Sequence, residues 1–121
     1  MGNHISNLFK KAYTYKGEEG EDVPKNIGIL AFVEGVKTIH ASAFKKQIHL
    51  VTISNFPESL EIIDDYSFSG CSNLVSLPAF PKGLTRIGHG SFFRCSSLSI
   101  PKTFPAGIKL GDRTFYGCSP H

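Results

Sequence analysis

The sequence predicts a β-rich solenoid, a stack of short strands joined by tight turns. A Phe-centred pattern returns about every 24 residues, branched apolar columns share its register, and Gly, Pro and Ser recur at fixed places between them. Self-similarity at such a period marks a repeat architecture.

The first column pairs a small residue with Phe: Ala43-Phe44, Ser67-Phe68, Ser91-Phe92 and Thr114-Phe115. Gln47, Cys71, Cys95 and Cys118 follow three positions later, and Leu50, Leu74 and Leu98 three beyond those. A second Phe series stands at Phe32, Phe56, Phe80 and Phe104, the last three each followed by Pro. Between the two series run Val36, Leu60, Leu84 and Ile108, then Ile39, Ile63, Ile87 and Leu110. The last coil is one residue short, and that deletion falls between Ile108 and Leu110. One such unit cannot bury its own apolar face; stacking turns the columns into a continuous interior.

Each element follows from this register. Leu50–Ile53 and Leu74–Leu77 read as short strands on one wall, Leu60–Ile63 and Leu84–Ile87 as extended segments on another. The Ser-Phe-x-x-Cys-Ser stretches read as turns or single helical turns, and Gly35, Gly83 and Gly107 with Pro57, Pro81 and Pro105 mark corners.

Residues 1–22 stand apart from the solenoid expected over 23–121. Ile5, Leu8, Phe9, Ala12 and Tyr13 have the spacing of one helix face, and Gly17 would end that helix. Gly17-Glu-Glu-Gly-Glu-Asp22 reads as a solvated acidic linker. Two readings of the helix stay open. It caps the apolar end of the first repeat, or it lies on a membrane. The second is favoured by Met1-Gly2-Asn3-His4-Ile5-Ser6, which fits an N-myristoylation signal with Gly2 as acceptor. Phe9, Lys10, Lys11 and Lys16 are then the membrane contacts, since one acyl chain needs a second signal and lysines near an anionic leaflet supply it. That reading places the protein in the cytoplasm, at the inner face of a membrane.

The phrases Leu84-Thr-Arg-Ile-Gly-His-Gly-Ser-Phe92, Arg94-Cys-Ser-Ser-Leu98 and Tyr66-Ser-Phe-Ser-Gly-Cys-Ser-Asn-Leu74 resemble the BspA-like class of leucine-rich repeats. The resemblance covers about residues 26 to 119. It implies an in-register leucine-rich-repeat solenoid of the α/β repeat type, used for protein recognition and often for adhesion at cell surfaces. Gln47-Ile48 replaces Cys-Ser in the first unit, which suggests a capping-side repeat.

Composition narrows the function further. Thirteen basic against ten acidic residues leave a net charge of +3. The basic residues are spread along the chain instead of forming the stripe that a nucleic-acid binder presents. No apolar run approaches the ~18 residues of a membrane span. The three cysteines fall once per coil, the spacing of a packing column and not of a zinc site. Register sets Asp65 beside His89 and Asp64 beside His40, pairs placed to hydrogen-bond between coils, but no nucleophile shares their column. No enzyme, metal site or cofactor is expected, with a hydrolase as a remote alternative.

The expected role is a non-enzymatic protein-interaction module, tethered through Gly2; a surface or secreted adhesin fragment is the alternative. Candidate binding residues lie on the walls. Val51, Thr52, Val75, Ser76 and Ser99 form one set; Lys37, Thr38, Glu61, Ile62, Thr85, Arg86 and Lys109 form the other. The partner is an unidentified protein, with an anionic membrane surface and end-to-end self-association through the Phe104, Ile108, Leu110 and Phe115 end as further expectations.

Overall fold

The computed structural model describes residues 11–119, and over them the chain is a stack of repeating coils with two parallel sheets as walls. Seven strands form in order: β1 (Lys11–Tyr15), β2 (Ile27–Phe32), β3 (Thr38–Ile39), β4 (Thr52–Ile53), β5 (Ile62–Ile63), β6 (Arg86–Ile87) and β7 (Lys109–Leu110). The first wall has the order β1-β2-β4, the second β3-β5-β6-β7. In the second wall Ile39 pairs with Ile63, Ile63 with Ile87 and Ile87 with Leu110, the register the sequence columns predict. The deletion also falls where expected. The Pro-x-x-apolar turn holds from Leu84 (onto Pro81) to Ile108 (onto Pro105), and the register shortens by one residue at Lys109.

The interior is built from self-stacking rings. Phe44, Phe68, Phe92 and Phe115 stack at centroid distances of 5.2, 5.2 and 5.4 Å, and Phe56, Phe80 and Phe104 at 5.6 and 5.7 Å. Phe44, Phe68 and Phe92 are fully buried, as are Leu50, Leu74 and Leu98. The cysteine column packs as predicted and adds a bond: Cys71, Cys95 and Cys118 each donate a thiol to the Phe carbonyl of the preceding coil, at 3.0–3.1 Å. Hydrogen bonding to Cys95, then burial, pushes the Cys118 thiol up. Such a thiol is an inert packing group. The small residue before each Phe works likewise. Ser67, Ser91 and Thr114 donate inward to the carbonyls of Asp64, Gly88 and Gly111 at 2.6–2.8 Å.

Two expectations need correction. Among the described residues there is no helix, neither in the turns nor at the N-terminus. The segment holding Ala12 and Tyr13 is strand β1, paired parallel to β2 from Lys11↔Ile27 to Tyr15↔Phe32. Ile5, Leu8 and Phe9 lie outside the described residues. The physical reason is competition: the outer edge of β2 offers unpaired N–H and C=O groups, and Tyr13-Thr14-Tyr15 has the alternation and side chains of a strand. Tyr15, buried to 1% exposure, then stands edge-on to Phe44 at 5.1 Å and ends the Phe ladder. Strand β1, not an amphipathic helix, is the cap.

The acidic run behind it is tied down as well. Glu21 accepts from the Tyr13 hydroxyl and from the backbone N–H groups of Lys16 and Glu18, while Gly17 O meets His40 Nε2 at 3.0 Å. Burial opposes ionisation of Glu21, but these hydrogen bonds outweigh it and hold the carboxyl below its ordinary 4.5. Gln47, the residue that breaks the cysteine column, bridges the same region: it accepts from Ile27 N at 3.3 Å and donates to Pro24 O at 2.8 Å.

The second correction concerns the first wall. Leu74–Leu77 does not form a strand; beyond β4 the wall continues only as Ser99 N–H to Val75 O at 3.1 Å and a bridge between Ser99 and Ser119. Pro78 and Pro101 lie in this stretch, and neither has an N–H to give to a ladder.

Candidate interaction face

The wall residues read from sequence are exposed or half-buried, and each set forms files. Thr38, Ile62, Arg86 and Lys109 run in one file on the second wall, with Lys37, Glu61 and Thr85 beside them. Val51 and Thr52 stand with Val75, Ser76 and Ser99 on the first wall. The second-wall file is partly occupied with itself: Arg86 reaches Asp64 at 3.2 Å and Asp65 at 3.7 Å, and Thr85 Oγ1 donates to Glu61 O. Of the expected inter-coil pairs, Asp65 does meet His89, by accepting its backbone N–H at 2.9 Å. His40 turns to Gly17 instead of Asp64, because the acidic loop lies against it. His89 Nδ1 in turn accepts Asp112 N–H at 2.8 Å, so this column serves backbone capping from coil to coil.

Lys11 and Lys16 are exposed on β1 and just after it; Gly2, Phe9 and Lys10 lie outside the described residues. Among the described residues no group of three metal-ligating side chains converges, and no helix is long and apolar enough to cross a membrane.

A third surface, not singled out from sequence, carries the chain's most distinctive chemistry. It is the turn face, made by Ser42–Gln47, Tyr66–Cys71, Gly90–Cys95 and Arg113–Cys118. Here every second N–H crosses to the next coil: Ser42 to Asp65, Phe44 to Ser67 and Lys46 to Ser69, with the same set repeated from Tyr66 and from Gly90. The intervening N–H groups close turns within the coil. The first and last crossing residues of each turn take left-handed backbone. One column reads Ser42, Tyr66, Gly90, Arg113 at φ of 60, 58, 57 and 55°; the other reads Lys46, Gly70, Arg94, Gly117 at 61, 78, 56 and 84°.

Glycine adopts that conformation freely, whereas a side chain there costs about 1 kcal/mol or more. The fold accepts Gly at both positions, yet five of the eight carry Ser, Lys, Tyr or Arg. The large ones interleave with the glycines. A Cβ on Gly90 would run into the Tyr66 ring, which lies across it, and one on Gly117 would come within 3.2 Å of Arg94.

These side chains combine with neighbours into an aromatic and cationic ridge. Phe93 and Tyr116 stack at 5.7 Å. Arg94 lies over Phe93 at 5.3 Å, Lys45 over Tyr66 at 5.8 Å and Arg113 over Tyr116 at 6.0 Å. Tyr66 and Tyr116 are 45% and 61% exposed. A shallow cleft opens over the third coil, from the second to the fourth, and is lined by Tyr66, His89, Gly90, Phe93, Asp112 and Arg113. The sequence did hold a signal for this face, the Gly that shifts from one turn position to the other between Gly70 and Gly90 and back at Gly117. Without backbone angles the shift has no visible meaning.

A family model for the BspA type leucine-rich repeat region matches residues 24–120, in six copies. Among solved structures, the chain is similar to a leucine-rich repeat protein from Bacteroides ovatus, with a TM-score of 0.74 and 23% identity over 89% of this chain. A leucine-rich repeat protein from T. pallidum gives the same TM-score and identity over 88% of this chain. The chain spans 29% and 54% of those two proteins. No curated protein matches it.

Proposed function

The chain belongs to the BspA-type leucine-rich repeat family, and from that premise we propose that it is a non-enzymatic protein-interaction module that binds through its turn face. One observation carries the choice of face: bulky Tyr, Lys and Arg side chains occupy left-handed backbone positions that the same fold fills elsewhere with Gly. Backbone strain held at the surface, beneath exposed aromatic rings, is the mark of a surface selected for contact. Tyr and Arg are also the side chains that dominate binding energy at interfaces. The walls offer less. The first is small and weakly polar, and the second spends Arg86 on Asp64 and Asp65.

Selection of a random displayed-peptide library on the immobilised chain tests this reading. Binders enriched on the parent should be lost from a variant with Lys46→Gly, Arg94→Gly and Arg113→Gly. Binders that hold the variant equally well, and instead lose affinity on Arg86→Ala or Val75→Asp, would move the site to a wall.

The module is tethered at Gly2. The support is the match of Met1-Gly2-Asn3-His4-Ile5-Ser6 to an acylation signal together with exposed Lys11 and Lys16. Intact mass of the protein made in eukaryotic cells should show loss of Met1 and gain of a myristoyl group, and Gly2→Ala should lack both the acyl mass and membrane fractionation. An unacylated parent would remove the tether and leave the module.

A further inference from the structure

We infer that the turn face takes an extended acidic peptide, about six residues long, lying along the solenoid axis with an aromatic side chain in the Gly90 cleft. This rests on the turn face being the binding surface. The argument begins with spacing. Neighbouring coils are set about 4.8 Å apart by the strand ladder, so Lys46 and Arg94, two coils apart in one column, stand about 10 Å apart at the backbone. A peptide in the extended polyproline II conformation rises about 3.1 Å per residue with about three residues per turn, which brings side chains at i and i+3 onto one face at nearly the same separation. Carboxylates at those two positions meet Lys46 and Arg94 together, and the four coils of the ridge match about six extended residues.

The residues between the two carboxylates cross the second and third coils, where the surface is aromatic. Tyr66, lying across Gly90, walls one side of the cleft, and Phe93 with Arg113 the other. An aromatic side chain entering there would pack against the edges of Tyr66 and Phe93, and the Asp112 carboxylate, 96% exposed, is open to a peptide N–H. Arg113 in the fourth coil pairs with a further acidic residue downstream. The cations carry no competing carboxylate: among the described residues none of Lys45, Lys46, Arg94 or Arg113 is in a salt bridge, unlike Arg86.

Charge also separates a peptide from a nucleic acid strand. Asp112 lines the cleft, and Glu18 and Gly20 abut Ala41–Ala43 at the other end of the face. A phosphodiester backbone would carry charge past both carboxylate-bearing ends, whereas a peptide places charge only where the cations stand.

Fluorescence anisotropy with a labelled hexapeptide, glutamate at its second and fifth positions and phenylalanine at its third, tests the inference on the full chain. Amide-resolved NMR shifts then locate the contact. The expected result is saturable binding with shifts at Lys46, Tyr66, Gly90, Arg94 and Arg113, weakened about fivefold for each glutamate changed to glutamine, the upper range for an exposed ion pair. Moving the glutamates to adjacent positions should weaken it similarly. Equal binding of the glutamine peptide at the same residues would overturn the acidic partner and keep the face. Shifts confined to Thr38, Ile62 and Lys109 would overturn the face itself. Tighter binding of an oligothymidylate at the ridge would assign it to nucleic acid instead.

Discussion

Phe68 and Tyr66 stand two residues apart and obey different rules. Phe68 is fully buried between Phe44 and Phe92, each ring lying on its own copy, so each coil must hold the same residue for its neighbours to fit. Tyr66 is 45% exposed on a left-handed backbone, and its column changes from Ser42 to Tyr66 to Gly90 to Arg113. Where a repeat is periodic, one coil's residue is its neighbour's packing partner. Where periodicity lapses on an exposed face, the side chain answers to something outside the stack.

The largest effect should come from breaking the ladder. Phe68→Ala or Phe92→Ala removes a ring stacked on both sides and should cost about 3–5 kcal/mol, seen as a lower urea midpoint or outright unfolding. Either variant melting with the parent would show that the ladder does not hold the stack.

A smaller loss tests how the two regimes touch. Gly90→Ala adds a Cβ on left-handed backbone against the Tyr66 ring, and should cost about 1–3 kcal/mol. Part of that loss should return in the double variant with Tyr66→Ala, because the ring is then gone and only the backbone strain remains. Additive losses would mean that Tyr66 does not rest on Gly90.

The N-terminal cap should respond to pH. Glu21 is held below its ordinary 4.5, so its contribution is fully present above that value and is lost as pH falls through the lower folded value. Protection of the Lys16 and Glu18 amides against hydrogen exchange, relative to the intrinsic rate at each pH, should therefore fall below about pH 4.5, and Glu21→Gln should flatten that dependence. Amides that exchange alike in parent and variant across this range would exclude Glu21 as the clasp.

How much was legible follows the same division. The Phe, Leu and Cys columns, the second-wall register and the one-residue deletion could all be read, because each is a statement about period. Strand β1 could not. Ala12 and Tyr13 fit a helix face, and only the open edge of β2 decides for a strand, a long-range contact that local pattern does not contain. The lapse of the first wall at Pro78 was readable in principle, since a proline has no N–H for a ladder. The turn face depends on the sign of φ at Lys46, Tyr66, Arg94 and Arg113, which residue type alone does not report.

The smallest expected effect bears most directly on the central claim that the turn face holds side chains at some expense of stability for the sake of contact. In the variant with Lys46→Gly, Arg94→Gly and Arg113→Gly, three residues at φ of 61, 56 and 55° are replaced by the residue that prefers that backbone. Its unfolding free energy, compared with the parent and with the matching triple alanine variant, is the measurement. The account predicts that the glycine variant equals or slightly exceeds the parent and exceeds the alanine variant by about 1 kcal/mol per site at most, while losing the acidic peptide. A glycine variant less stable than the alanine variant, or one that still binds the peptide as the parent does, would contradict it.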